Sequence, residues 1–164
     1  MLAKKTRGCS RVVVYVKEGI NVRQLRKYET DDLSTIWLEA GLPREKKLVL
    51  GCSYREHDYI KLERGEPKQS GHPEQLQRWE KFVDIWSKVI DEQKEVCVVG
   101  DLNWDLLEEN IQSSLHEKIN NIYNDKILPR GVVQMVKGPT RFHSACRPSK
   151  IDHVHTTNPE RLIW

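Results

Sequence analysis

The strongest structural signal in the chain is Val96-Cys97-Val98-Val99-Gly100-Asp101-Leu102-Asn103. Its first four residues are apolar and mostly β-branched, which is typical of a strand covered on both faces. Gly100 follows, and a glycine lets the backbone turn where a Cβ atom would collide with its surroundings. The stretch therefore predicts a buried strand that delivers Asp101 and Asn103 to one point.

Two interpretations of Asp101 and Asn103 stay open at this level. Polar residues at the end of a buried strand are where rigid scaffolds commonly place their chemistry. Asp and Asn in such loops also make Asx-turns to the nearby backbone without any further role. The rest of the chain has to decide between a functional pair and an ordinary turn.

Length and charge limit the class of protein. A chain of 164 residues is long enough for one domain with a hydrophobic core and short for two. The formal charge of +3 is compatible with a polyanionic partner, but it is far below that of a dedicated nucleic-acid coat protein. The N-terminus has no apolar signal segment and no apolar run approaches a membrane span. We therefore expect an intracellular protein, nuclear or cytoplasmic, without a membrane partner.

The cysteines are widely spaced and form no C-x-x-C pair. They are Cys9, Cys52, Cys97 and Cys146, and two of them lie inside apolar, strand-like segments. This pattern favours buried free thiols in a reducing compartment over a disulfide framework or a zinc site.

The first half of the chain is rich in short strands. Residues 11–17, 34–40 and 47–54 carry many β-branched and aromatic side chains, and turn residues separate them. The pattern predicts an antiparallel meander of three strands. The intervening stretch 20–32 is expected to be polar and irregular, and 58–70 to be a long polar loop.

The second half adds two amphipathic helices. Pro73 opens a helix whose apolar stripe is interpreted as core and consists of Leu76, Trp79, Phe82, Val83, Trp86, Val89 and Ile90. A second helix is expected at 113–128, ended by Pro129 and Gly131. Further strands are expected at 132–136 and 151–155, with a short polar loop that contains Cys146 and Pro148 before the second of them. Because strands outnumber helices and separate the two of them, the chain is predicted to be a mixed α/β sandwich.

Four short motifs occur in the order expected of one family. They are Tyr54-Arg55, Gly100-Asp101-Leu102-Asn103, Pro139-Thr140-Arg141-Phe142 and Ser149-Lys150-Ile151-Asp152-His153-Val154. Together they resemble the endonuclease/exonuclease/phosphatase superfamily, most closely the apurinic-type endonuclease domain of non-LTR retrotransposons. The resemblance implies a four-layer α/β sandwich of two mainly antiparallel sheets, present here as a single incomplete domain over residues 1–164.

The resemblance also implies an activity and the residues that perform it. The family hydrolyses phosphodiesters such as those of DNA with a divalent metal, Mg²⁺ or Mn²⁺. By similarity, Asp101 would orient or deprotonate the attacking water and is the candidate metal ligand. Asn103 would help to bind the phosphate and place Asp101, and Tyr54 would bind the phosphate through its hydroxyl. Asp152 would orient a catalytic histidine and fix its tautomer.

Two arginines and one histidine lie next to these positions. Arg55 and Arg141 are candidate phosphate contacts, with a solvated arginine as the alternative for each. Asp152 and His153 are consecutive in a predicted strand, so their side chains point to opposite faces. We therefore assign Asp152 to the site and His153 to the surface or the core.

Two motifs of the family are not found in this sequence, an N-terminal glutamate that binds the metal and a terminal Ser-Asp-His motif. We therefore expect a fragment of a longer element that also contains a reverse transcriptase domain, and we expect residues 1–164 to be inactive. One alternative is a non-catalytic nucleic-acid-binding remnant that uses Arg55, Arg141, Arg147 and Lys150 as backbone contacts. Another is a phosphodiesterase or phosphatase of the same superfamily that acts on lipid or nucleotide.

Overall fold

The structure is a computed structural model. It describes residues 2–6, 9–42, 46–56, 72–93, 95–107, 114–143 and 146–161. The predicted loop at 58–70 lies outside the described residues, and so do the side chains of Cys9 and Cys146. The two cysteines whose side chains are described, Cys52 and Cys97, are free thiols, and Cys97 is buried.

The described part of the chain contains strands from both predicted halves and the two predicted α-helices. The elements in chain order are β1 (Leu2–Thr6), β2 (Cys9–Val14), β3 (Val22–Gln24), β4 (Thr35–Leu42), β5 (Lys46–Tyr54), α1 (His72–Glu92), β6 (Val96–Asp101), α2 (Ser114–Lys126), β7 (Val133–Gln134), β8 (Arg141–His143), β9 (Cys146–Ser149) and β10 (Asp152–Thr156). Short 3-10 turns lie at Arg26–Tyr28, Leu128–Arg130 and Pro159–Arg161. No described helix is both long and apolar enough to cross a membrane.

A six-stranded sheet forms the centre of the molecule, in the order β3-β4-β5-β6-β10-β7. Its neighbouring strands are antiparallel except β5 and β6, which run parallel. A parallel pair needs a crossover connection, and α1 lies within the one between β5 and β6. The hairpins β1-β2 and β8-β9 form two separate two-stranded sheets.

The hydrophobic core lies between one face of this sheet and the two helices. As predicted, the stripe on α1 is buried there, including Trp79, Trp86 and Val89. Ile119 and Tyr123 of α2 join the same core. The aromatic rings meet edge to face or at a tilt, which is the geometry that ring quadrupoles favour.

The opposite face of the sheet is covered in part by the β1-β2 hairpin. This hairpin packs against β4 and β5. Ile36 and Leu38 alternate with the core residue Trp37 along β4, and both are nevertheless buried. The sheet is therefore covered on two sides here, as the near-continuous apolar character of its strands requires.

The predicted three-strand meander is wrong in its first member. The strand predicted at 11–17 ends at Val14 and pairs with β1, not with β4. The edge strand next to β4 is β3, which lies in the stretch predicted to be irregular. Three residues are too few for an alternating pattern, and β3 is held by pairing with β4 and by the ion pair between Arg23 and Glu39.

Differences elsewhere concern element ends and one hairpin. The strand predicted at 132–136 is limited to Val133–Gln134. The segment around Cys146, predicted to be a polar loop, instead forms the β8-β9 hairpin, and Pro148 lies within β9. A proline is compatible with this two-stranded unit because an edge strand need not donate every N–H.

Candidate active site

Three predicted site residues stand side by side at the ends of three neighbouring strands. Tyr54 ends β5 and Asp101 ends β6, and the two are register partners in the parallel pair. Asp152 begins β10 and is the antiparallel register partner of Asp101. Register partners point to the same face of a sheet, so the phenol and the two carboxylates share one face, opposite the helices.

Asp101 lies at the centre of this row and is half-buried. Its Oδ1 accepts a hydrogen bond of 2.9 Å from the backbone N–H of Asn103, which closes an Asx-turn. Burial raises the pKa of Asp101, and the negative charge of Asp152 raises it further. The hydrogen bond from Asn103 and the charge of Arg141 oppose this shift in pKa. Two carboxylates that repel each other in this way are stabilised by a cation between them.

Gly100 is required by the approach of β6 to β5. Its φ of +141° is a backbone conformation that residues with a side chain rarely adopt. A Cβ atom at this position would lie 1.8 Å from the carbonyl oxygen of Ser53. The prediction that a Cβ atom would collide here is confirmed.

Asn103 and Arg55 are joined to each other through both their side chains and their backbones. Asn103 has a left-handed backbone, with φ of +44°. Its Nδ2 donates to the carbonyl oxygen of Arg55 at 2.7 Å. The guanidinium of Arg55 in return donates to the carbonyl oxygens of Leu102, at 2.6 Å, and Asn103. These contacts hold the turn after β6 against the end of β5.

Thr140 supports the third strand end and was not proposed as a site residue. Its Oγ1 accepts hydrogen bonds from the backbone N–H groups of Ile151, at 3.2 Å, and Asp152, at 3.1 Å. Its own N–H donates to the carbonyl oxygen of Ser149. The Pro-Thr-Arg-Phe motif contained this threonine, but a bond to backbone twelve residues away leaves no periodic trace in sequence.

The two candidate arginines occupy different environments. Arg141 opens β8, is exposed, and lies near enough to Asp101 to affect the pKa of that carboxyl. Arg55 is directed into the protein, with its guanidinium 5.8 Å from the ring centroid of Trp79. The structure therefore places Arg141 at the surface beside the carboxylates and Arg55 beneath them.

His153 points away from Asp152, into the core, where it is 1% exposed. Gln134 Oε1 accepts from the backbone N–H of Val154 at 3.1 Å, so its amide NH₂ faces His153 Nδ1 at 2.6 Å and His155 Nε2 at 3.5 Å. Those two ring nitrogens must be acceptors, because the amide nitrogen can only donate.

The protons of the two imidazoles therefore lie on the other ring nitrogens. His153 Nε2 donates to the carbonyl oxygen of Trp104 at 2.8 Å, and His155 Nδ1 contacts the hydroxyl of Tyr123 at 3.1 Å. Burial lowers the pKa of His153 to about 4 and that of His155 to about 3. Both are neutral core residues at pH 7, and His153 anchors the backbone that follows Asn103.

The architecture is shared with three solved structures. The endonuclease domain of TRAS1, a telomere-specific non-LTR retrotransposon, superposes with a TM-score of 0.53 at 14% identity, over 86% of this chain and 55% of that one. An AP endonuclease from Archaeoglobus fulgidus gives 0.52 at 16%, over 87% and 59% of the two chains. An endonuclease/exonuclease/phosphatase protein from Beutenbergia cavernae gives 0.52 at 16%, over 85% and 37%.

The chain has the endonuclease/exonuclease/phosphatase fold. It spans 55% and 59% of the length of the first two of these structures, so it contains part of that fold. No family model matches the sequence, and no curated protein matches it. The predicted fold class is confirmed, as an incomplete sandwich built on the six-stranded sheet.

Within this endonuclease/exonuclease/phosphatase fold, the donors at the strand ends fit a hard divalent cation in part. Asp101 and Asp152 offer carboxylate oxygens, which are the ligands that Mg²⁺ prefers. The placement of Asp101 and Asp152 as register partners at neighbouring strand ends is the structural observation that favours a cation there. Among the described residues, no three His, Cys, Asp or Glu side chains form a group that could hold a metal.

Proposed function

We propose that this chain contributes part of the active site of a divalent-metal-dependent endonuclease that hydrolyses phosphodiester bonds in DNA. The observation that carries the proposal is the alignment of Tyr54, Asp101 and Asp152 as register partners on one sheet face. The fold is shared with a retrotransposon endonuclease domain and with an AP endonuclease, which supports DNA as the substrate class.

Each side chain has a role that suits its position. Asp101 orients or deprotonates the attacking water, since a half-buried carboxylate with a raised pKa is a better base than an exposed one. Tyr54 donates its hydroxyl to a phosphoryl oxygen. Asn103 uses one amide hydrogen for Arg55 O, and the second is available for the phosphate. Arg141, exposed beside Asp101, contacts the DNA backbone.

Mg²⁺ or Mn²⁺, when bound, would neutralise the charge that develops on the phosphoryl oxygens, and Asp101 would be its ligand in this chain. Asp152 orients a catalytic histidine that a longer protein supplies. We place a reverse transcriptase domain downstream in that longer protein. The compartment that we propose for it is the nucleus or the cytoplasm. Residues 1–164 alone are proposed to be inactive, because the glutamate and the Ser-Asp-His motif of the family are not found in them.

Nicking of supercoiled plasmid with Mg²⁺ or Mn²⁺ tests the inactivity. We expect no nicking by residues 1–164. Nicking that Asp101→Ala abolishes would overturn the inactivity and support the site, whereas nicking that survives Asp101→Ala would contradict the role of Asp101.

Mn²⁺ binding, measured by electron paramagnetic resonance, tests the metal site without turnover. Asp101→Asn is expected to weaken Mn²⁺ binding at least about tenfold. Asp125→Asn, the same charge change at an exposed position of α2, is the matched control and should leave Mn²⁺ affinity unchanged. Equal affinity for Mn²⁺ in wild type and Asp101→Asn would remove Asp101 from the metal site.

A second candidate function is non-catalytic binding of nucleic acid. It is favoured by the exposed Arg141 and Arg147 on the β8-β9 hairpin, next to the start of β10. DNA affinity that falls with salt and is indifferent to Mg²⁺ would support this candidate over the endonuclease. Phosphate release from a lipid or nucleotide substrate would instead support a phosphatase of the same fold.

A further inference from the structure

We infer that Arg55 is a positioning residue, which holds the turn of residues 101–103 in place from inside the protein and does not bind DNA phosphate. The inference rests on the proposed function, because it assigns a role toward the same carboxylate.

Four hydrogen bonds connect Arg55 to three consecutive residues. Its Nε and Nη2 donate to the carbonyl oxygens of Leu102 and Asn103. Its backbone N–H donates to Asp101 O at 2.9 Å, and its carbonyl oxygen accepts from Asn103 Nδ2. A guanidinium is a planar fork of donors, so one side chain can satisfy two successive carbonyl groups.

The turn needs such support. The left-handed backbone of Asn103 is uncommon for a residue with a side chain, and it persists where surrounding contacts hold it. The N–H of Asn103 is the donor to Asp101 Oδ1. The orientation of the Asp101 carboxylate therefore depends on a conformation that Arg55 maintains.

The same contacts remove Arg55 from the surface that DNA would touch. Its remaining nitrogen, Nη1, is also buried and has no hydrogen-bond partner among the described residues. The guanidinium faces Trp79, on the helix side of the sheet, whereas Asp101 points to the opposite face. Burial and the nearby charge of Arg78 lower the pKa of Arg55 to about 10, so it stays charged at pH 7.

A substitution of Arg55 by lysine distinguishes a role of its positive charge from a role of its guanidinium geometry. Arg55→Lys keeps the positive charge, but an ammonium is a point donor that cannot span two successive carbonyl groups as the fork does. A phosphate contact would tolerate this change better than a positioning role would. Arg141→Gln is the matched control, because Arg141 is exposed beside the same carboxylate.

The experiment combines three measurements on wild type, Arg55→Lys, Arg55→Gln and Arg141→Gln. Backbone amide NMR spectra report the turn, Mn²⁺ titration reports the carboxylate, and DNA affinity against salt concentration reports phosphate contacts. Arg55→Lys should shift the signals of residues 101–103 and weaken Mn²⁺ binding about tenfold. The slope of log DNA affinity against log salt concentration should stay that of wild type in Arg55→Lys and also in Arg55→Gln, which removes the charge. Arg141→Gln should reduce that slope by about 0.9, the value for one lost phosphate contact.

Arg55→Lys signals at 101–103 that match wild type would overturn the inference, as would a reduced salt slope in Arg55→Gln. If wild type binds no Mn²⁺, the proposed function fails, while the NMR comparison still decides the role of Arg55. If Arg55→Lys does not fold, hydrogen exchange of Arg55 Nε–H and Asn103 Nδ2–H in wild type decides it. Slow hydrogen exchange of these groups supports the inference, and exchange as fast as that of the exposed Arg141 Nε–H overturns it.

Discussion

Asp101 and Asp152 lie directly opposite each other where β6 pairs with β10. Side chains opposite each other in an antiparallel pair have Cβ atoms about 5 Å apart, so two like charges here oppose folding. The pKa of Asp101 is raised by burial first and by Asp152 next. The repulsion between the two carboxylates therefore works against the stability of the fold.

Asp101→Asn is expected to stabilise the metal-free protein by about 1 kcal/mol at pH 7. The amide removes the repulsion with Asp152 and keeps an oxygen that can accept the N–H of Asn103. Thermal unfolding in a chelating buffer measures this change, with Asp125→Asn as the control of equal charge. Added Mg²⁺ should raise the melting temperature of wild type and leave that of Asp101→Asn unchanged. A variant less stable than wild type in chelator would contradict the prediction.

Gly100→Ala is expected to destabilise the fold by at least about 3 kcal/mol, because the added Cβ meets Ser53 O at 1.8 Å and the backbone φ is +141°. Urea unfolding followed by tryptophan fluorescence measures the loss. Gly138→Ala is the matched control, since nothing lies within 4 Å of a Cβ at that position. It should change stability by less than about 1 kcal/mol in either direction. Equal stability of the two variants would show that Gly100 tolerates a side chain.

Acid should weaken the fold through the buried histidines. The pKa of His153 is lowered to about 4 and that of His155 to about 3, against an unfolded value of about 6.5. The unfolded chain therefore binds protons first as the pH falls. The free energy of unfolding should start to decline below pH 6.5, and the decline should continue to about pH 4 for His153 and to about pH 3 for His155. For His153 alone, the total loss of unfolding free energy is about 3 kcal/mol.

Between pH 6.5 and pH 5, histidines of the unfolded chain take up protons, whereas carboxyl groups with their ordinary pKa of about 4 do so at lower pH. Chemical denaturation at several pH values in this window measures the slope. His155→Phe keeps an aromatic ring and removes one titrating group. The slope of its unfolding free energy against pH should therefore be smaller, by the equivalent of about one bound proton. An identical slope in His155→Phe would contradict the assignment of His155 as a neutral core residue.

Gln134 should determine which nitrogen of each imidazole carries the proton. In wild type, we expect the proton on Nε2 of His153 and on Nδ1 of His155, and long-range ¹⁵N–¹H NMR spectra report both tautomers. Gln134→Glu replaces the donor by a carboxylate oxygen facing two ring nitrogens. It should therefore raise the pKa of both histidines. Gln134→Met removes donor and acceptors together and should cost about 3 kcal/mol of stability. Unchanged tautomers and pKa values in Gln134→Glu would refute the network.

The features that the sequence predicted correctly are those with a local physical signature. The stripe from Trp79 to Val89 follows the 3.6-residue period of a helix, and the run from Val96 to Val99 follows the pattern of a strand covered on both faces. The opposite directions of Asp152 and His153 follow from the two-residue period of a strand alone.

The errors have physical causes as well. β3 has three residues, too few to show a period, and it is held by its partner strand. The β8-β9 hairpin contains a proline and few β-branched residues, so its composition resembles a loop. The pairing of β1 with β2 depends on contacts between two strands that residue types alone do not specify.

The sequence by itself determined which residues are candidates for chemistry, because residue type, order and local period are properties of the chain. Gly100, Asp101 and Asn103 could be selected in that way. Only the tertiary structure decided that Tyr54, Asp101 and Asp152 are register partners, since strand order and register depend on packing between segments distant in the chain. It also decided that the Arg55 guanidinium is directed to the backbone of residues 102 and 103, because the length of an arginine side chain allows both a solvent-facing and an inward orientation.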